Sequence, residues 1–325
     1  MMPPPSVTLS YNPPGPQFAI SEQCVMPRIT VTANLQNVTL DQKTPASYQW
    51  KVTLQFGSHG CAHAMGRSIK HPDITQVTAA NQWTIPFSQV RGGNLSIAVT
   101  VMIGSTLLQA QSDKLEITGT NPSTTALAPV APANDAFRKL MQLESGLQQF
   151  RSPGCPKFSG DNYGGVGICQ ITKPRPTDDQ VWNWKENVKA GWQIYREKET
   201  IAGRYPANVR NGDFKALVKA YNDQRLAQTK PPLTVELPDY TDDQLQRDTI
   251  RGYNGYPAGL HEYRVRVDKN GLLVVSADAA GSRGTAEWEQ MSPDDRKAYY
   301  DKSGIDESHR GDVNYVNDVM KQPGF

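Results

Sequence analysis

Alternation of apolar and polar residues marks the first 120 positions of the chain. Residues 28–35, 48–56 and 95–101 alternate in this way and favour β-branched or aromatic side chains, which is the pattern of strands with one buried face. Short strands separated by turn-rich pieces, without a long helical period, are typical of an antiparallel sandwich. We therefore predict an all-β, immunoglobulin-like sandwich over residues 1–120, a fold that indicates little about function by itself.

A helical period dominates the rest of the chain. Apolar side chains recur there at helical spacing in several stretches. These stretches are represented by Leu140, Val188, Leu217, Ile250 and Val316. An exception lies at residues 263–275, where two alternating runs flank an Asn-Gly pair, which is the signal of a β-hairpin. We predict a mostly helical second domain with a small hairpin insertion.

The composition of the chain changes near residue 121. Residues 1–120 hold 7 of the 34 Lys and Arg residues and 5 of the 32 Asp and Glu residues, so most of the charge lies beyond them. Residues 121–133 are poor in charge and rich in Pro, Ala and Thr, as expected of a semi-extended linker. We predict a docking or binding module over 1–120, a linker over 121–133 and a second domain over 134–325.

Net charge and hydropathy limit the classes of partner. A net charge of +2 gives no support for a nucleic-acid-binding surface, and no run approaches the roughly 18 apolar residues of a membrane span. Residues 1–6 have neither the basic nor the apolar region of a secretory signal. We expect no nucleic-acid partner and no membrane span. The protein acts in the cytoplasm, leaves by a route without a cleaved signal, or is a piece of something longer.

One loop carries potential metal ligands. His59, Cys61 and His63 stand at alternate positions, with His71 and Asp73 nearby, and on a strand the first three would point the same way. Their spacing differs from that of structural zinc sites, and the glycines around them indicate a loop. We favour an ordinary loop and expect no metal.

The four cysteines are divided evenly between the two parts of the chain. Cys24 and Cys61 lie in the first part, and Cys155 and Cys169 lie in the second. An even pair in each part permits one disulfide apiece, and free thiols are permitted equally. The cysteines therefore do not fix the compartment.

A carboxyl group extends the apolar face of the first helix of the second part. A cap at Asn134 or Asp135 would place Glu144 seven residues after Phe137, on the face that Leu140 also occupies. Desolvation of a half-buried glutamate raises its pKa, which suits a general acid that keeps its proton near neutral pH. The alternative is that Glu144 simply ends an amphipathic helix.

Motifs that follow this glutamate resemble a known family in type and order. They lie at residues 144–145, 165–171, 187–191, 252–255 and 314–319. Together they resemble the lysozyme-like superfamily of soluble lytic transglycosylases and goose-type lysozymes, over residues 134–325. The resemblance implies a lysozyme-like fold that acts on glycosidic bonds without a metal or a cofactor.

The resemblance also implies roles for individual residues. Glu144 would protonate the glycosidic oxygen between N-acetylmuramic acid and N-acetylglucosamine, and Asp161 would position water, as the aspartate before the glycine run does in goose-type lysozymes. The residues that would bind the sugar are Ser145, Gly167, Gln170, Tyr253 and Asn254. Cys169 departs from the family's usual methionine; it could pair with Cys155 and clamp the loop, or be a small buried apolar residue.

Other interpretations of these residues stay open. Asp161 could be a turn residue that satisfies loop amides, Tyr253 could be a core residue, and Asn254 could belong to a turn. Tyr221 also precedes an asparagine, but Asp223 follows where the family has glycine, so we prefer the later pair.

We therefore expect a peptidoglycan muramidase that cleaves glycan strands outside the cytoplasm. A lytic transglycosylase that forms 1,6-anhydro products is the alternative within the family, and a non-catalytic wall-binding or structural component of a phage or secretion apparatus is the alternative outside it. An enzyme exported without a signal peptide would suit an antibacterial effector of a type VI secretion system or a phage tail component. The first module would then dock to the apparatus, and an immunity protein would be an expected partner.

Overall fold

The computed structural model describes ten ranges of the chain. They are residues 3–40, 45–58, 61–62, 68–160, 164–211, 213–232, 240–254, 263–267, 273–277 and 315–325.

Two sheets form the first part of the chain. Their strands are β1 (Ser6–Asn12), β2 (Gln17–Ala19), β3 (Thr30–Gln36), β4 (Ala46–Gly57), β5 (Ser68–Lys70), β6 (Ile74–Thr78), β7 (Gln82–Thr84), β8 (Gly93–Ile103), β9 (Thr106–Gln111) and β10 (Leu115–Thr118). The smaller sheet has the order β1-β3-β7. The larger has the order β2-β10-β8-β4-β5, with β6 beside β4 and β9 beside β8; the β2–β10 pair is parallel and the other pairs are antiparallel.

The core of these sheets follows from the alternation in the sequence. The runs predicted at 48–56 and 95–101 lie within β4 and β8, the run at 28–35 overlaps β3 from residue 30 onward, and every second residue of β4 is buried. Trp50 is 2 % exposed and its ring lies 6.0 Å from that of Trp83. Burial of one such aromatic side chain contributes about 2–3 kcal/mol, so alternation alone is enough to fix which face of each strand turns inward.

The helices and the remaining strands follow in the second part of the chain. The helices are α1 (Thr124–Leu127), α2 (Asp135–Ser145), α3 (Asp178–Trp182), α4 (Trp184–Asn211), α5 (Asp213–Ala227), α6 (Asp242–Tyr253) and α7 (Tyr315–Lys321). The strands are β11 (Phe150–Ser152), β12 (Cys155–Pro156), β13 (Tyr263–Val267) and β14 (Leu273–Ala277). At the start of α6, Thr241 and Gln244 form the capping box that their spacing indicates. The antiparallel pairing of β13 with β14 matches the predicted hairpin strands, and the turn between them lies outside the described residues.

The predicted fold class is wrong for the chain as a whole. The structure is mixed, with about 32 % helix and 29 % strand over several sheets, rather than an immunoglobulin-like sandwich joined to a mostly helical lysozyme-like domain. The described residues between α2 and α3 form the small β11–β12 pair and turns. This segment is broken by Gly and Pro and has no helical period of its own, and the prediction of a mostly helical domain rested on the stretches around it.

The chain forms two compact units. The first comprises residues 1–131 and 144–191, and the second comprises residues 132–143 and 192–325. The predicted linker at 121–133 contains the short helix α1, which Ser123 caps by accepting a hydrogen bond from an amide of the first turn. The domain boundary at this linker stays a prediction.

Aromatic packing explains why residues 144–191 belong to the first unit. Trp182 of α3 is fully buried; its ring packs edge-on against Phe56 of β4 at 5.3 Å and lies tilted by 39° against Phe150 of β11 at 5.6 Å. Arg91 donates a hydrogen bond to Asp179, and this ion pair joins the turn before β8 to α3. The strands and the segment that follows α2 therefore share one hydrophobic core.

None of the helices in the described ranges combines the length and the apolar character needed to cross a membrane.

Candidate active site

Glu144 lies in the last turn of α2, as the spacing of the apolar residues predicts. Asn134 caps this helix by accepting a hydrogen bond from the Phe137 amide at 2.8 Å, and the side chains of Phe137 and Leu140 are fully buried. Glu144 itself is half-buried. The helix ends beyond Ser145 because the next two residues, at 146 and 147, have left-handed φ angles of 63° and 62°.

Lys157 joins the end of α2 to the loop at residues 165–171, which is called the glycine loop below. Its Nζ donates hydrogen bonds to the main-chain oxygen of Ser145 and to Gln148 Oε1, the latter at 3.3 Å. Its main-chain oxygen accepts from the Gly167 amide at 2.8 Å and from Gln170 Nε2 at 3.5 Å. Through this one residue the structure brings together three of the predicted site residues, Ser145, Gly167 and Gln170.

Ser145 and Gln170 use their side chains locally. The hydroxyl of Ser145 accepts from the Gln148 amide at 3.2 Å, and Ser145 is 2 % exposed. Gln170 has a left-handed φ of 45°, and its Nε2 donates to the oxygen of Gly167 at 2.7 Å. The Ser145 side chain therefore braces the turn that ends α2, and the Gln170 side chain braces the turn that contains Gly167.

Gln149 is a buried side chain that is hydrogen-bonded to the glycine loop. Its Oε1 accepts from the Ile168 amide at 3.2 Å, and its Nε2 donates to the oxygens of Gln180 and Val181 at 3.0 and 2.8 Å. The side chain is fully buried, where unmade hydrogen bonds are costly, so this set of bonds fixes the loop against α3.

Asn187 of α4 is a second buried side chain that is hydrogen-bonded to the glycine loop. Its Oδ1 accepts from the Cys169 amide at 2.9 Å, and its Nδ2 donates to the oxygens of Val166 and Gln180 at 2.9 and 3.0 Å. Asn187 is also fully buried. The Asn-x-x-x-Gly motif of the sequence therefore supplies a side chain that holds the main chain of the loop on both sides of Gly167.

Gly167 lies where another residue would not fit. Its φ is 76°, and a Cβ at this position would lie 2.4 Å from Gln149 Oε1 and 2.6 Å from Asn187 Nδ2. The two buried amides approach the main chain this closely only because the side chain is absent.

The disulfide joins cysteines that the sequence had placed in different parts. Cys61, beyond β4, is bonded to Cys155 at the start of β12, 94 residues later. The pairs that the sequence left open, one within each part, are not the pair that forms. Cys24 and Cys169 are buried, and burial raises the pKa of the Cys24 thiol. Spacing along the chain carried no information about a bond between segments that pack together only in the folded unit.

The other predicted site residues lie elsewhere or outside the described residues. Tyr253 is the last residue of α6 and Asn254 follows as its cap, both half-buried in the second compact unit. Asp161 lies outside the described residues.

The described part of the chain holds no group of three or more metal-ligating side chains. Of the potential ligands in the loop after β4, Cys61 is in the disulfide, while His59 and His63 lie outside the described residues. His71 lies near charged groups instead: burial and the guanidinium of Arg91 lower its pKa, and the carboxylate of Asp178 raises it less.

Comparison with protein-family models, curated proteins and solved structures finds no match to this chain. The resemblance to the lysozyme-like superfamily therefore stays a prediction.

Sequence reasoning missed two residues that the structure places in this site. Gln149 and Lys157 belong to no motif, and a single Gln or Lys in a polar stretch indicates a solvated side chain. A weak signal exists for Gln149, which stands beside Phe150 and so next to the buried aromatic core.

Proposed function

We propose that the protein is a peptidoglycan muramidase that cleaves the β-1,4 bond between N-acetylmuramic acid and N-acetylglucosamine. The observation that supports this most is the placement of Glu144. It is half-buried at the end of a helix, and the next residue is tied through Lys157 to a glycine loop that two buried amides hold in place. A half-buried carboxyl whose neighbouring main chain is held by hydrogen bonds suits protonation of a bound sugar.

In the proposed reaction Glu144 donates its proton to the glycosidic oxygen as the bond to the anomeric carbon breaks. Asp161 is proposed to position the water that attacks this carbon, and that water loses its proton to a carboxylate as the reducing end forms. Gly167 is proposed from the resemblance alone to belong to the sugar site, since the space that its missing side chain leaves is taken by the side-chain amides of Gln149 and Asn187. Ser145 and Gln170 are proposed to hold the turns in which they lie, and Tyr253 and Asn254 are proposed from the resemblance alone to bind sugar.

The proposal includes action outside the cytoplasm. The Cys61–Cys155 disulfide supports it, because such bonds persist in oxidising compartments such as the periplasm. Delivery as an antibacterial effector, docking of the β-rich module to a secretion or phage apparatus, and inhibition by an immunity protein are proposed from the resemblance.

The test is mass spectrometry of the fragments that the wild type and Glu144→Gln release from purified peptidoglycan. Glu197→Gln is the matched control, because Glu197 is an exposed residue of α4 that loses the same charge. Reducing-end products from the wild type and the control, and none from Glu144→Gln, would establish the hydrolase.

Two other outcomes would change the assignment. Products with 1,6-anhydro ends would show that the muramyl C6 hydroxyl replaces water, as in a lytic transglycosylase. Absence of any fragment with the wild type, together with sedimentation of the protein with the glycan, would indicate a wall-binding protein without turnover.

A further inference from the structure

Lys157 makes hydrogen bonds with both its side chain and its main chain, and each set has a different partner. The side chain reaches back to the end of α2, at Ser145 and Gln148. The main chain donates from its amide to the Gln149 oxygen at 2.8 Å and accepts from the Gly167 amide at 2.8 Å. A substitution of the side chain therefore removes the first set of bonds and leaves the second in place.

The ammonium group lies at the negative end of a helix. The oxygen of Ser145 belongs to the last turn of α2, and the last carbonyls of a helix have no partner within it. A charge-assisted hydrogen bond from Nζ satisfies this oxygen and is stronger than a bond from a neutral donor. Burial, with a smaller effect of Arg151, lowers the pKa of the Lys157 amino group.

We propose that Lys157 is a positioning residue for Glu144, holding the last turn of α2 at a fixed distance from the loop at Gly167. This inference rests on the proposed function. The Ser145 oxygen lies in the peptide unit between residues 145 and 146, one residue beyond the acid, so the bond from Nζ restricts the main chain close to Glu144. The same residue binds the loop that would contact the sugar, and the acid and the sugar site then move together.

Loss of the Lys157 side-chain bonds should slow the chemical step more than it weakens substrate binding. A general acid that shifts by about 1 Å can lose about 100-fold in rate, while sugar contacts made by the loop persist. We expect Lys157→Met to lower kcat by about 10- to 100-fold and to leave KM within about twofold. Met keeps the apolar stem of the side chain as far as Cε and removes the Nζ donor.

The experiment compares kcat and KM of the wild type, Lys157→Met and Lys157→Arg on solubilised glycan strands, with the melting temperature of each. Lys157→Arg keeps a charged donor and is expected to retain most of kcat. Lys189→Met is the matched control, because Lys189 is an exposed lysine of α4 paired with Glu186 at 3.7 Å. It should match the wild type.

Each outcome decides between the two proposals. If the wild type is active and folded Lys157→Met retains its kcat, the positioning role is overturned and the muramidase stands. If the wild type releases nothing, the proposed function fails and this inference fails with it. Should Lys157→Met not fold, Lys157→Arg decides, since it keeps a charged N–H donor: a folded Arg variant whose kcat has fallen by about 10-fold or more overturns the role.

Discussion

At the scale of the residue, Gly167 is the position at which a single methyl group should do most harm. We expect Gly167→Ala to lower the free energy of unfolding by about 3 kcal/mol or more, since the left-handed φ and the close approach of two buried amides both oppose a Cβ. Urea denaturation followed by tryptophan fluorescence measures this change.

Gly146→Ala separates the two causes. Gly146 also has a left-handed φ, of 63°, but a Cβ there would meet nothing within 4 Å. Gly146→Ala should therefore lower the free energy of unfolding by only about 1–2 kcal/mol. Equal losses in the two variants would show that contact with Gln149 and Asn187 is unimportant at Gly167.

Asn187 should be equally sensitive for a different reason. Asn187→Ala removes three hydrogen bonds to the main chain, including the one that the Cys169 amide donates, so we expect a loss of about 3 kcal/mol in unfolding free energy and a less ordered loop. Hydrogen exchange of the Cys169 amide would report the loop directly. Asn34→Ala, which removes one exposed hydrogen bond to Ser10, is the control and should cost well under 1 kcal/mol.

His71 should make stability depend on pH. Its pKa is lowered in the folded protein by burial and by Arg91, despite the opposing effect of Asp178, so the unfolded chain binds its proton more readily. The contribution to stability is complete above the ordinary pKa of about 6.5 and is lost as the pH falls below it. His71→Gln should narrow the difference in urea midpoint between about pH 7.5 and about pH 5.5. An unchanged difference would assign the dependence to other groups.

At the scale of the element, periodicity predicted the strands and helices that have a single buried face. The alternation in β4 and the apolar spacing of α2 were sufficient because each period places its buried residues on one side. The segment between α2 and α3 could not be predicted in this way. Its form depends on the side-chain amides of Gln149, near its start, and of Asn187, in α4, and neither residue gives the segment a period.

The sequence predicted some features of the candidate site and missed others. The position of Glu144 at the end of a capped helix followed from the sequence, and so did the importance of glycine at residue 167. The contacts of Lys157 did not, because its partners Ser145 and Gly167 are main-chain groups that any residue carries.

The disulfide between the loop after β4 and strand β12 should stabilise the protein strongly. A bond that closes a loop of this length, with 94 residues between its ends, is worth about 4–5 kcal/mol through the entropy of the unfolded chain. Reduction should lower the urea midpoint accordingly. The variant with Cys61→Ser and Cys155→Ser should have the lower urea midpoint with and without the reductant. If the reductant lowers the midpoint of both proteins, its effect does not come from this disulfide.

At the scale of the whole molecule, the order of residues along the chain and their grouping in space differ. The first compact unit takes up residues 1–131 and then residues 144–191, with the piece between them assigned to the second unit. The change in charge density near residue 121 did not reveal this, because composition reports what each segment exposes and not which core it joins.

The Cys61–Cys155 bond also makes the chain between these residues a covalent ring. Glu144 lies on this ring, and so do the exposed residues around Pro129. A protease that cuts the chain near Pro129 would open the ring without releasing either piece. On a denaturing gel the nicked protein should run as one band until a thiol is added, and then separate into two.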